Sequence, residues 1–385
     1  MADLFDYLTW RSDLDFHQAP FNPVDNVIFS QISYLPMDGI VPGQDDNGEI
    51  SVRLAAEILN RNFQDKKISK SSFIFKEDPA FIEALCSSNR FGNCRLSGYV
   101  NHIDTHREVQ FSAVCISIDD DSCYVAFRGT DFTLVGWKED FNMSFKDVIP
   151  SQLEAVDYME KMSSRIKCPL RLGGHSKGGN LAVYAAANCQ KKIQDRITEI
   201  YTNDSPGFNE KFINSEGFMS VRDRIRSFIP QSSVVGMLLD HGYDDLVIKS
   251  SQFGLLQHVL YSWEITHNNL VYVDNVDTSS RYVDKTLKEW IGNLDYKHRE
   301  QFLNAFFSIL NASGAKSFTE IEKSWFKAMG LMLKSLGNTD ESTKFLIKKA
   351  LGELFNSAMR NLNTLFKLDN KKKKQKMLKG DVWER

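Results

Sequence analysis

The stretch Leu170-Arg171-Leu172-Gly173-Gly174-His175-Ser176-Lys177-Gly178-Gly179-Asn180, continued by Leu181-Ala182-Val183-Tyr184-Ala185-Ala186-Ala187, restricts this chain more than any other. A short apolar run leads into Gly174-x-Ser176-x-Gly178, and an alanine-rich helical pattern leaves it. That is the strand–turn–helix setting in which a G-x-S-x-G string carries chemistry. A turn this tight drives its central residue into a strained backbone conformation, and side chains on its flanks would collide, so glycines stand there. The strain holds the Ser176 hydroxyl clear of a sheet, at the N-terminus of a helix. There the free N–H groups and the helix dipole favour a developing negative charge. Ser176 reads as a nucleophile. An ordinary glycine-rich turn is the weaker reading, because both flanks fit.

A chain of 385 residues is enough for one large domain or two ordinary ones. Its net charge of −3 gives no electrostatic case for nucleic acid. The N-terminal Met1-Ala2-Asp3-Leu4-Phe5-Asp6 is acidic and does not resemble a signal peptide, and no apolar run reaches membrane-span length. The cysteines Cys86, Cys94, Cys115, Cys123, Cys168 and Cys189 form no metal-ligand spacing. They read as reduced thiols, mostly packing residues, in a cytoplasmic protein.

Residues 1–100 read as mostly helix and loop. Asn26 to Tyr34 suggests a short amphipathic helix. Ser51 suggests the cap of a helix running to about Asn60, with Leu54, Ala55, Ile58 and Leu59 on its apolar face. Phe81 to Leu85 suggests another helix, with a turn from Arg90 to Asn93. From Val109 the pattern changes. Phe111 to Ile116 and Cys123 to Phe127 read as two strands joined by the acidic turn Asp119-Asp120-Asp121. Arg128-Gly129-Thr130-Asp131 ends the second strand, and a helix is expected from about Ser151 to Ile166. Further strands are expected at Leu170, at Ile197 to Thr202 and at Ile225 to Ile229. Short strands alternating with helices imply a mostly parallel sheet covered on both faces, and the hairpin implies an antiparallel edge. After Asp274 the composition shifts, and Ser280 to Phe366 shows helical periodicity with neither a strand nor a catalytic motif. The expected organisation is a domain over residues 1–275 and a C-terminal helical region over residues 276–385.

Val125-Ala126-Phe127-Arg128-Gly129-Thr130, followed by Gly174-His175-Ser176-Lys177-Gly178-Gly179, resembles the class 3 lipases of the α/β-hydrolase superfamily. The chain resembles more closely a bacterial branch that carries Arg-Gly-Thr-Asp and Gly-Trp-Lys-Glu-Asp, present here as Arg128 to Asp131 and Gly136 to Asp140. The resemblance covers about residues 105 to 270 and implies the α/β-hydrolase fold, with N-terminal helices outside its reach. It also implies an oxyanion hole made by Thr130 and by the backbone N–H of Lys177, two donors aimed where a carbonyl oxygen becomes charged.

The base and the acid are less plainly written. In this superfamily the order is Ser, acid, His. His258 lies shortly before Trp263, as the class 3 lipases place their histidine, and it is the expected base; a half-buried histidine satisfied by backbone is the bland reading. His241, in what reads as a mobile loop, is the reserve, and His175 reads as a packing residue that points away from the cleft. The resemblance places the acid in a string matching Ser233-Val234-Val235-Gly236, where this chain has serine instead of aspartate. Asp204, at the end of the preceding strand, is the preferred acid, against a competing role as a turn cap before Pro206-Gly207. Asp240, Asp244 and Asp245 are weaker choices, and Asp140 reads as structural.

The expectation is a serine hydrolase of the lipase/esterase kind acting on a small-molecule or lipid ester through Ser176, His258 and Asp204, with no metal or organic cofactor implied. Competing readings are a thioesterase or amidase with the same residues, or a non-catalytic binding module on the same fold. The apolar run Val234 to Leu239 reads as core, with an acyl pocket or lid as the sharper alternative. The run Lys371-Lys372-Lys373-Lys374-Gln375-Lys376 reads as a solvated end, with weak contact to anionic membrane as its sharper alternative. Oligomeric state is not encoded legibly.

Overall fold

The computed structural model describes residues 2–69, 72–104, 107, 109–130, 143, 146–233, 235–252 and 254–276. The Gly136 to Asp140 string, the C-terminal helical region and the lysine run fall outside them.

Eight strands stand side by side in chain order. They are β1 (Ile50–Ser51), β2 (Arg95–Asp104), β3 (Val109–Ser117), β4 (Cys123–Phe127), β5 (Leu170–His175), β6 (Ile197–Asn203), β7 (Ile225–Pro230) and β8 (Asp245–Ile248). The first three pairings are antiparallel, and β4 to β8 run parallel. The expected hairpin is the β3–β4 pair, with Asp121 at a φ of +60° in its turn.

Alternation along the strands splits the core in two. Val114, Ile116, Tyr124, Ala126, Tyr201 and Phe228 pack into one cluster with the N-terminal helices. Those helices are α1 (Leu4–Arg11), α2 (Pro23–Ile32), α3 (Val52–Gln64), α4 (Asp78–Ser87) and α5 (Asn89–Gly92). Ala113, Cys115, Cys123, Val125 and Phe127 turn to the other face, where α6 (Pro150–Ser163) and α7 (Lys177–Asn188) cover them. The helices of the first hundred residues are thus one of the two layers that cover a mostly parallel sheet.

Several sequence expectations need correction. Residues 1–100 are mostly helix and loop as expected, but β1 and the first part of β2 lie there too, and β2 carries a register shift between Ser97 and Val100 that breaks its alternation. The helix expected over Asn26 to Tyr34 begins at Pro23, and it is not amphipathic, since every residue from Val24 to Ile32 is buried. Its polar residues find partners inside: Asn26 and Asn203 exchange amide hydrogen bonds at 2.9 and 3.1 Å, and Tyr124 donates to Asn26 Oδ1 at 2.8 Å. Ser51 does cap α3, accepting from Leu54 N, but the helix runs to Gln64, and Leu54 is 48% exposed. Leu54 lies off the stripe formed by Val52, Ala55, Ala56 and Leu59.

The helical layer is pinned by a wholly buried ion pair. Arg90 donates from Nε and Nη2 to the two oxygens of Asp25 at 2.8 and 2.6 Å, and its remaining donors reach the carbonyls of Leu14, Asp15, Ala19 and Pro20. Tyr7 also donates to Asp25, at 2.9 Å. Breaking such a pair strands a charge away from water. Asp25→Ala is therefore expected to cost about 3–5 kcal/mol in chemical denaturation. A loss below about 1 kcal/mol would mean that water reaches the Arg90 site once the carboxylate is gone.

Candidate active site

The end of β5 delivers Ser176. Its backbone sits at φ 57° and ψ −132°, a left-handed conformation that side chains rarely adopt. The turn closes because glycines let its strands touch: a Cβ at Gly174 would collide with the carbonyl groups of Gly178 and Phe127. The register seats Phe127 beside Gly174 and Asn203 beside His175, so the ends of β4 and β6 flank the serine turn. Ser176 N donates to Asn203 O at 2.9 Å, and the Asn203 amide donates to Gly174 O at 3.0 Å. Ser176 precedes the first residue of α7, so its hydroxyl stands at the positive end of a helix.

Asp204 follows β6 at a φ of +47° and is 1% exposed. Its Oδ2 lies 2.6 Å from His258 Nδ1. Its Oδ1 accepts from Ser233 Oγ at 2.5 Å and from Gly236 N at 3.0 Å. The carboxylate is therefore fixed by three donors and faces the imidazole with one chosen oxygen. Facing a carboxylate, His258 Nδ1 carries a proton, so in the neutral ring the lone pair is on Nε2. The Ser233 hydroxyl thus donates to the Asp204 carboxylate from the position where the resemblance expects an aspartate.

His258 ends a short 3₁₀ turn (Gly254–His258). Trp263, fully buried, donates from its indole to Gln257 O at 2.9 Å and anchors that turn. Among the described residues, Ser176 Oγ and His258 Nε2 are not hydrogen-bonded. In unliganded hydrolases such a bond is commonly long and tightens in the substrate complex.

His175 is not merely a packing residue. Its Nε2 lies 2.7 Å from His258 O, its Nδ1 lies 2.8 Å from the Tyr34 hydroxyl, and its ring centroid stands 4.3 Å from that of His258. His241 is not on a free loop either. It is buried, with Nδ1 on the Asp245 carboxylate at 2.7 and 2.8 Å and Nε2 at 3.2 Å from Ser205 O. Both its nitrogens are occupied away from Ser176, and Asp245 has its own histidine. Asp240 is exposed in the loop before it.

Thr130 follows β4 at the sheet end that also carries Ser176, and it is half-buried. The Lys177 side chain is wholly buried, with Nζ donating to Gln110 O at 2.9 Å, while its backbone opens α7. The run expected as core is only half-buried at Val235, Met237, Leu238 and Leu239. Leu256, beside His258, is 56% exposed. Three groups escaped sequence reasoning in their roles: Tyr34, the His175 ring and the Ser233 hydroxyl. Only Ser233 had a local signal, its place in the lipase-like string.

A parallel sheet with a serine elbow at one strand end, an acid at the next and a histidine returning to it defines an α/β-hydrolase fold. The chain belongs to the Mbeg1-like family, whose model matches residues 85–308. No curated protein matches it. Among solved structures, a Rhizomucor miehei lipase in its propeptide complex is 16% identical, over 43% of this chain and 58% of that one, with a TM-score of 0.33. Lip2 lipase from Yarrowia lipolytica is 12% identical, over 64% and 93%, with a TM-score of 0.36. A lipase from Rhizopus microsporus var. chinensis is 16% identical, over 49% and 69%, with a TM-score of 0.31. This chain thus spans 58% of the length of the Rhizomucor lipase. No residue role follows from likenesses this distant. Among the described residues no helix is long and apolar enough to cross a membrane.

Proposed function

We propose that the protein is a serine hydrolase that cleaves carboxylic esters through an acyl-enzyme. The observation that carries this reading is the 2.6 Å contact of His258 Nδ1 with the buried Asp204 carboxylate, one strand over from a serine in a strained, glycine-flanked turn. Ser176 Oγ attacks the ester carbonyl while His258 Nε2 takes its proton. The backbone N–H groups of Thr130 and Lys177 bind the oxygen that becomes negative. His258 then protonates the leaving alcohol, and water repeats the sequence on the acyl-enzyme with His258 as base. Asp204 keeps the tautomer correct and offsets the charge of the imidazolium. No step calls for a metal or an organic cofactor.

Half-buried Val235, Met237, Leu238 and Leu239, in the stretch whose Gly236 N–H holds the acid, and exposed Leu256, two residues before the base, support a substrate with an apolar acyl chain. The six cysteines stand as free thiols, which supports a reducing, cytoplasmic setting. The test is a fluorophosphonate probe on the purified protein, together with p-nitrophenyl esters of graded acyl length, matched thioesters and anilides. Labelling at Ser176 with ester turnover is the expected result. Turnover of thioesters or anilides in preference to esters would move the assignment to those bonds, and no labelling at all would leave a binding module. Ser233→Ala removes one of three donors to Asp204 and is expected to lower kcat roughly tenfold, equivalent to about 1.4 kcal/mol. An unchanged kcat would show that Gly236 N alone holds the carboxylate.

A further inference from the structure

We infer that Tyr34 and His175 are positioning residues for the base, so that the N-terminal helical layer takes part in the chemistry instead of only covering the sheet. The inference rests on the serine-hydrolase reading above.

The chain of contacts fixes the proton positions. His175 Nε2 faces the carbonyl oxygen of His258 at 2.7 Å, and a carbonyl only accepts, so Nε2 carries the proton. Nδ1 is then a lone pair and accepts from the Tyr34 hydroxyl at 2.8 Å. The His258 carbonyl thus sets the tautomer, and the Tyr34 hydroxyl, free to donate or accept, meets the remaining lone pair and holds the ring in place. In the other tautomer, two lone pairs would face each other across the His258 contact. His258 is consequently held twice, its ring by Asp204 and its backbone by His175. Burial, and secondly the neighbouring His258, push the His175 imidazole well below its ordinary value. It therefore stays neutral, a single donor, while His258 accepts the serine proton.

Tyr34 reaches further than His175. A Cβ at Gly129 would collide with the Tyr34 hydroxyl and with His175 O, and it would stand 3.1 Å from Ser176 Cβ. The same hydroxyl lies 3.3 Å from His175 O. One buried phenol thus abuts the turn that carries Thr130, the elbow that carries Ser176 and, through His175, the base. Displacements of about 1 Å at such a site are enough to cost two powers of ten in rate.

The test uses the full chain as wild type, His175→Ala, His175→Gln, Tyr34→Phe and the Tyr34→Phe/His175→Gln pair. Each is assayed with p-nitrophenyl butyrate and with a fluorophosphonate probe followed to completion. Glutamine keeps a donor at the reach of imidazole Nε2 and has no counterpart of Nδ1 for Tyr34 to meet. His175→Ala is expected to lower kcat and the labelling rate constant by about tenfold or more, with KM within about twofold and the final labelling stoichiometry intact. His175→Gln should return to within about threefold of wild type, and adding Tyr34→Phe to it should cost less than Tyr34→Phe costs the wild type, since only the contacts with the Gly129 turn and the Ser176 elbow are left to lose. A role confined to folding would instead lower the stoichiometry at an unchanged rate constant, and that result overturns the inference. So would wild-type rates in Tyr34→Phe, or a loss on adding it to His175→Gln as large as it costs the wild type. Should His175→Ala not fold, these two comparisons still decide. Wild-type protein that is never labelled at Ser176 would sink the hydrolase reading and this inference together, whereas labelled wild type with indifferent variants sinks only the inference.

Discussion

Ser176→Ala is expected to abolish ester turnover and fluorophosphonate labelling together while leaving the fold intact. Loss of the nucleophile in a serine hydrolase removes about six powers of ten in kcat, and what remains comes from oxyanion stabilisation and binding. Nearby serines offer no substitute: Ser205 is 1% exposed, and Ser233 is committed to Asp204 at 2.5 Å. The backbone at Ser176 gives an independent readout. Its φ of 57° with ψ −132° is a conformation that costs a residue with a Cβ roughly 1–3 kcal/mol. Ser176→Gly should therefore be at least as stable as Ser176→Ala, despite the freer unfolded chain of glycine. Labelling that persisted in the alanine variant would place the nucleophile elsewhere. A glycine variant clearly less stable than the alanine variant would mean that the turn is not strained.

The serine turn was legible because its constraint is local. Gly174 must let the Gly178 and Phe127 carbonyls approach, and Ser176 must sit between a strand and a helix, so the spacing alone carries the geometry. The choice of Asp204 was legible only as a position, the end of the strand beside β5. The structure adds what the sequence could not carry: Ser233 Oγ and Gly236 N converge on its carboxylate from residues 29 and 32 further along the chain. Tyr34 and His175 were illegible in those roles. The partners of the His175 ring are a phenol 141 residues away and a carbonyl 83 residues away, and periodicity carries no trace of either.

The fold shows the same division. β3 to β7 could be read because each is a short run of buried, β-prone residues between turn signals. β2 could not, because its register shift between Ser97 and Val100 and the polar Asn101-His102 disguise its alternation. α2 reads as amphipathic because Asn26, Ser30 and Gln31 punctuate it. Those residues are polar because they are hydrogen-bonded inside, to Asn203, Tyr124 and Asp78, and a helix-period pattern cannot tell a satisfied interior from a wet surface.

Asp204→Asn is expected to lower kcat by roughly two to four powers of ten with KM little changed. The geometry dictates how the amide sits. Gly236 N can only donate, and it points at Oδ1 at 3.0 Å, so the amide oxygen must occupy that position. The amide nitrogen then replaces Oδ2 and turns its hydrogens toward His258 Nδ1, which stood 2.6 Å from a carboxylate oxygen. A donor there forces the proton of the imidazole onto Nε2, and the lone pair needed by Ser176 is lost from the face that meets the serine. The wrong tautomer and the missing counter-charge act only as His258 becomes an imidazolium, so the loss belongs to kcat and leaves ground-state binding alone. Asp245→Asn is the matched control. Its carboxylate holds His241 at 2.7 Å and nothing of His258, so it should cost less than roughly tenfold, as should the same change at Asp240 or Asp244. An Asp204→Asn enzyme within tenfold of wild type, or an Asp245→Asn enzyme as impaired as Asp204→Asn is expected to be, would move the acid to the His241 side of the sheet end.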